Sequence, residues 1–410
     1  MADSPTPSQS PPRSGRFGAA SAVSRHADTR TAAMEVADQL IDGIGDSCDL
    51  LMLFGSYHHR AAFSDGASYI RHSIDASVTL GTTGEAVLGG DEELDGGAGL
   101  TAIALNLGEA KLKTWTTTPD DPFRLKQPAM MRERLGFDDE FRVGILLADP
   151  FSCPVPRLVP ALSGCGEGKP VPLVGGVASG STQPGMNVLV LDDQVTSVGG
   201  IGVSISGDID VDFVVSQGCR PIGKPLVVTK AKDNLMLELG SRPAYEVLQE
   251  LGQGLSEHEK HLLRSGLLVG SVINEYKPRF GRGDFLIRNV LGFDQRTKGI
   301  AVADRARVGQ TIQFHVRDKD TAAEDLQLLL DAQQLSTPPF GGLLFTCNGR
   351  GERLFGEPSH DISMIHDRLG NMPVAGFFAA GELGPIGDGS FLHGHTASLA
   401  LFRSRQSGAG

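Results

Sequence analysis

The densest group of reactive side chains lies near the C-terminus, where Gly381-Glu382 is followed by His393, His395 and Thr396. Gly376, Gly381, Gly384, Gly387 and Gly389 loosen the backbone around Glu382. Backbone N–H groups freed in such a loop bind a carboxylate or phosphate. Glu382 could meet an ammonium group, and His393 and Thr396 could add directional hydrogen bonds. The plainer reading is a tight turn plugged by Glu382. Upstream, Cys347 ends an apolar run and precedes Asn348-Gly349-Arg350-Gly351. A cysteine at a strand-to-turn junction acts as a nucleophile when a base is near, and His393 is the candidate base. Arg350 could hold an anion. The plainer reading of Cys347 is a small buried residue before an Asn-Gly turn.

His393-Gly394-His395 places two imidazoles on one strand face. No Cys or Asp/Glu pattern completes a metal shell around them, so no metal or cofactor is expected. Arg279, Arg282 and Arg288 crowd one stretch, where structural ion pairs are the simpler assignment. Gly199-Gly200 lacks the strand-Gly-x-Gly-x-x-Gly-helix context of a dinucleotide site.

Three segments share a small-residue pattern: Thr82-Thr83-Gly84-Glu85, Ala178-Ser179-Gly180-Ser181 and Ala379-Ala380-Gly381-Glu382. Each follows an apolar run. Small residues allow close backbone approach, and glycine tolerates positive φ. Thr83 and Glu85 thereby join Gly381, Glu382, His393, Thr396, Cys347 and Arg350 as candidate ligand-binding residues. Chance similarity in a chain with 53 glycines is the competing account.

The elements that must position these residues alternate. Residues 32–41 carry a helical apolar face, residues 49–54 a buried strand, residues 57–74 a second helix and residues 76–80 a strand. Residues 172–228 hold many strand signals and no long helical pattern. Asp318 is an N-cap for a helix with Ala322, Leu326, Leu329 and Leu330 on its buried face. The expected class is mixed α/β (α+β): layered mixed sheets with helices on their faces, in two related halves. The expected division is a tail at 1–31, domains at 32–240 and 241–403, and a tail at 404–410.

The chain has 410 residues and a formal net charge of -12. An acidic balance opposes nucleic-acid binding, which needs a basic face, and opposes anionic membrane surfaces. No apolar run reaches the roughly 20 residues of a membrane span. Five cysteines without a CxxC pair fit a reducing compartment, and the expected location is cytoplasmic.

The chain resembles FIST (F-box and intracellular signal transduction) proteins. The resemblance rests on Gly81-Thr82-Thr83-Gly84-Glu85, Val174-Gly175-Gly176-Val177-Ala178-Ser179 and Gln217-Gly218-Cys219-Arg220-Pro221-Ile222-Gly223. Asp284-Phe285-Leu286-Ile287-Arg288-Asn289, the run from Gly341 to Arg350, the run from Gly376 to Glu382 and Leu392-His393-Gly394-His395-Thr396 complete it. The resemblance implies a FIST N domain followed by a FIST C domain, sensing a small ligand such as an amino acid or small carboxylate. About 30 residues before the first domain are too few for an F-box, so output through a protein signalling partner is expected. A cysteine-dependent hydrolase or transferase using Cys347 and His393, and a protein-docking scaffold, are the alternatives.

Overall fold

The computed structural model describes residues 9–10, 16–119 and 127–405. The remainder of the two expected terminal tails lies outside the described residues. The chain divides into two compact units. The first comprises the chain up to Val215, Gln327–Leu392 and the chain from Thr396; the second comprises Ser216–Leu326 and His393–His395.

The first unit uses one pattern three times: strand, helix, strand, helix, strand, short hairpin, strand. The first pass is β1 (Phe17–Ser24), α1 (Thr29–Ile44), β2 (Cys48–Ser56), α2 (Phe63–Ser73), β3 (Ala76–Gly84), the hairpin β4 (Val87–Gly89) and β5 (Glu92–Leu94), and β6 (Leu100–Leu107). The second is β7 (Lys111–Thr117), α3 (Pro128–Leu135), β8 (Phe141–Ala148), α4 (Val155–Ser163), β9 (Leu173–Val177), β10 (Leu189–Leu191), β11 (Gln194–Thr196) and β12 (Gly200–Ser206). The third opens with β13 (Ile209–Gln217). The second unit intervenes, built from β14 (Cys219–Lys232), β15 (Leu235–Leu239), α5 (Ala244–Gly254), α6 (Glu257–Ser265), β16 (Leu267–Val272), β17 (Phe285–Asp294), β18 (Gly299–Val302) and β19 (Thr311–Arg317). The third pass then resumes with α7 (Lys319–Gln333), β20 (Gly341–Cys347), the short α8 (Glu352–Phe355), α9 (His360–Leu369), β21 (Val374–Ala379), β22 (Glu382–Ile386), β23 (Gly389–His393) and β24 (Thr396–Ser404).

The three sheets share a six-strand order: β1-β6-β2-β3-β10-β11, β7-β12-β8-β9-β22-β23 and β13-β24-β20-β21-β4-β5, the second with Gln9–Ser10 added beside β7. In each, the central pair is parallel, as β2 with β3, β8 with β9 and β20 with β21. Each pass gives its hairpin away: β4 pairs with β21, β10 with β3, and β22 with β9. The exchange is cyclic, so the sheet topology counts three related passes in this unit where two halves were expected.

The parallel strands are covered on both faces and therefore read as unbroken apolar runs. Leu50 to Phe54 are all fully buried. Leu50, Met52 and Phe54 share a core with Ile145, Leu147, Leu343 and Phe345 from the other sheets. Leu51 and Leu53 face outward onto Val36 and Leu40 of α1 and Phe63 and Ile70 of α2. Phe54, Phe345 and Phe377 form an aromatic trio, the Phe54 and Phe377 centroids 5.4 Å apart.

The three small-residue segments all end the second parallel strand of their sheet, where the chain leaves for the next. They meet there. Gly180 N donates to Thr83 O at 3.2 Å, Val177 N to Gly381 O at 2.9 Å, and Glu85 N to Ser179 Oγ at 2.9 Å. A Cβ on Gly180 would sit 2.9 Å from Thr83, and one on Gly84 2.8 Å from Ala86 O. Crowding between crossing strands, rather than a positive φ, selects glycine at these two positions.

The second unit is an antiparallel barrel. Its strands run β14-β19-β16-β17-β18-β15, and β15 pairs back onto β14. Ser256 and Glu259 form a capping box at the start of α6.

Several boundaries differ from expectation. Residues 17–24, expected inside the N-terminal tail, form β1 against β6, and α1 begins at Thr29, where Asp28 accepts from Thr31 N. The second helix begins at Phe63, after a short 3-10 turn at Tyr57–His59.

Candidate functional site

The strand β20 ends at Cys347, and the turn that follows delivers Arg350 into the protein. Arg350 is 1% exposed, the bulkiest of the fully buried side chains. Such a charge persists only when paired. Asp361, in the first turn of α9, pairs with it twice: Nε to Oδ2 at 2.7 Å and Nη2 to Oδ1 at 2.8 Å. His360 Nδ1 lies 3.1 Å from the same carboxylate, and its ring stacks on Phe355 with centroids 3.5 Å apart. Arg350 also lies over the Phe355 ring. Burial alone would raise the Asp361 pKa, but the Arg350 charge and the hydrogen bonds from His360 and Arg350 outweigh it and hold the carboxyl well below the ordinary range.

The exchanged hairpin β4–β5 brings the acids. Glu93 N donates to Ser359 Oγ at 3.1 Å, and Glu93 Oε1 accepts from Ile362 N at 2.9 Å. Glu93 thus caps α9 from a distant part of the chain, satisfying an N–H that the helix start leaves open. Burial, with the Asp361 charge second, pushes its pKa up to about 8. Asp95 accepts from Glu352 N at 2.6 Å, and burial raises its pKa too. Glu85 accepts from Asn348 Nδ2 at 3.1 Å and pairs with Arg353 at 2.5 Å.

Three polar atoms here are buried without a hydrogen-bond partner among the described residues: Arg350 Nη1, Glu93 Oε2 and Asp95 Oδ1. Buried polar groups are ordinarily paired. The hairpin β10–β11 has the same length and a two-residue turn, with pairs Leu189↔Thr196 to Leu191↔Gln194 matching Val87↔Leu94 to Gly89↔Glu92. Its residue at the place of Glu93 is Val195, which is 55% exposed. The acid on the third sheet is therefore no requirement of the repeated fold.

Of the sequence-identified residues, Cys347, Arg350 and Glu85 fall on this cluster. Thr83 ends the neighbouring parallel pair, its Oγ1 accepting from Val188 N at 3.0 Å. Gly381, Glu382 and Thr396 form a separate knot: Glu382 is fully buried, pairs opposite Gly176, and accepts from Thr396 N at 3.1 Å. The expected Gly-rich anion loop is therefore a strand hairpin whose backbone enters a ladder. His393 groups with the second unit. Asp361, Glu93, Asp95 and His360 were missed. Glu93 lies on the short strand β5 and Asp95 just past its end.

Two family models match the chain, the FIST N domain over residues 49–242 and the FIST C domain over residues 244–385. The chain belongs to the FIST family. FIST domains are associated with signal transduction. The two matched segments meet between residues 242 and 244, while the compact units divide at Val215 and Leu326. An uncharacterized protein of Mycobacterium tuberculosis is 39% identical over 393 residues, covering 93% of this chain and 98% of the relative. Another, from Mycobacterium bovis, is 40% identical over 380 residues, covering 92% and 96%. No helix among the described residues is long and apolar enough to cross a membrane.

Proposed function

We propose that this FIST protein is a small-ligand-binding sensor whose ligand is a zwitterionic amino acid or a small carboxylate. The observation that supports this is the set of three unpartnered buried atoms on Arg350, Glu93 and Asp95. They combine a cationic donor with two acid oxygens, the complement of a molecule carrying both a carboxylate and an ammonium group. In this reading Arg350 Nη1 takes the carboxylate and Asp95 takes the ammonium, and Glu93, which burial keeps protonated up to about pH 8, joins by giving up that proton. Cys347, Glu85 and Thr83 frame the place, and Gly381, Glu382 and Thr396 form a separate knot outside it. Ligand binding would pass to a protein partner, in the cytoplasm, by shifting the Arg350 turn or the start of α9.

Thermal-shift screening of the twenty amino acids and of short carboxylates tests the proposal. A ligand at 100 times its Kd raises stability by about 2.7 kcal/mol. A rise in Tm with one chemical class supports sensing; no rise with any class removes it.

A further inference from the structure

A cavity lies at the other end of the third sheet. Arg350 follows the C-terminal end of β20, whereas Gly341, at its start, stands opposite Phe402 of β24. Beyond Phe402 the chain reaches Arg403 and Ser404, which line a cavity of about 640 Å³. Its walls come from the starts of β8 and β13, the segment before β9, and residues 335–337 after α7. The volume is that of an ordinary small-molecule pocket, roughly 300–1,000 Å³.

Arg403 is the notable group in the wall, because it is only 3% exposed. Its Nη2 donates to Gln333 O at 3.3 Å and to Gln333 Oε1 at 3.1 Å. Its Nε lies 2.7 Å from Asp212 Oδ2, without the alignment of a hydrogen bond. A buried guanidinium is thus fixed on two sides, with Nη1 left unpartnered among the described residues. Arg142 stands in the same wall, its Nε tied to Gly207 O at 2.9 Å.

We infer that this cavity binds a small monocarboxylate with an apolar body. The carboxylate would accept from Arg403 Nη1 and from the hydroxyls of Ser336, Thr337 or Ser404. Pro170, Pro172, Val211 and Phe213 supply the apolar, smaller share of a mostly polar lining, against which the short body would lie. Asp210 and Asp212 share the cavity with the two arginines, so the lining has no net charge. That balance disfavours a phosphate dianion, which would face both aspartates, and suits a single planar anion on one guanidinium edge. The fold does not itself demand acids here: the corresponding opening strand of the second pass, β7, carries Lys111 and Lys113 in the alternation where β13 carries Asp210 and Asp212. The site is independent of the sensor reading above, which rests on Arg350.

Isothermal titration of the full chain tests it, with benzoate and 4-methylpentanoate as probes and benzamide and inorganic phosphate as controls. The expected result is saturable binding of a probe carboxylate and none of benzamide or phosphate. Arg403→Met and the cavity-filling Thr337→Phe should each weaken it at least tenfold, with circular dichroism confirming that each variant is folded. The double variant Arg350→Met/Asp361→Leu should bind as the wild type does, which separates this site from the first. Absence of carboxylate binding, equal binding of phosphate or benzamide, or undiminished binding in Thr337→Phe would overturn the inference. Loss in the Arg350 double variant with retention in Thr337→Phe would assign the binding to the Arg350 cluster and overturn it equally.

Discussion

The Arg350–Asp361 pair is buried on both sides, at 0% and 1% side-chain exposure. Its worth is clearest on removal of one partner. Asp361→Asn leaves a buried guanidinium without its counter-charge, and breaking such a pair costs about 3–5 kcal/mol. Denaturant unfolding of that variant should show the loss, whereas Arg350→Met/Asp361→Leu should recover most of it. Glu93 makes a pH statement. Its pKa in the folded protein is raised to about 8 from the ordinary 4.5, chiefly by burial. The folded state therefore holds a proton that the unfolded chain has released. The stabilisation from this group is complete below about pH 4.5 and is lost as pH rises toward 8. Glu93→Gln, which keeps the amide-sized group and removes the titration, should flatten the decline in stability across that window. Unchanged pH dependence in the variant would show that Glu93 does not carry it.

Each hairpin leaves its own sheet and completes another, so the three crossing points are where elements depend on one another most. Gly180→Val places new atoms where a Cβ is already 2.9 Å from Thr83. Overpacking of this kind costs about 1–3 kcal/mol, and a lower denaturation midpoint is the expected readout. Phe345→Ala removes one ring of the central trio and should cost about 3–5 kcal/mol. Much of this layer was legible in the chain. The parallel strands announce themselves as apolar runs because both faces are covered, and the three small-residue segments mark the three crossings. Their cause was not legible. Glycine at a chain crossing and glycine at a left-handed turn are the same letter, and only the contacts of Gly84 and Gly180 distinguish them. The hairpin β22–β23 was read as a ligand loop for the same reason.

The whole molecule is a threefold pattern interrupted once. The second unit enters between β13 and α7, and its two ends lie together: Gln217 N donates to Asp325 Oδ2 at 2.9 Å, and so does Ser216 Oγ. Insertions are tolerated where chain ends are close. Replacing residues 218–317 with a short Gly-Ser linker, which keeps α7 whole, should leave the first unit folded. Trp115 reports on that unit alone, because it is the single tryptophan, 5% exposed, and donates to Ser204 Oγ at 3.0 Å. Its emission should stay blue and unfold cooperatively; a red-shifted spectrum would mean that the insert is required. The interruption is why a division into two halves looked natural from sequence. A long insert in the third pass hides its kinship with the first two, and β1 was overlooked because its run of Ala and Ser resembles a tail. The candidate cluster was only half visible for a related reason. Cys347 and Arg350 advertise themselves, but Glu93 and Asp95 reach them from some 250 positions away, through an exchange that no local pattern encodes.

The ligand proposal at Arg350 is tested most directly by titrating zwitterionic amino acids into the wild type and into Arg350→Met/Asp361→Leu, with Tm as the readout. The expected result is a rise for one ligand class in the wild type, about 2.7 kcal/mol at 100 times Kd, and no rise in the double variant. No rise in the wild type, or an equal rise in both, would contradict it.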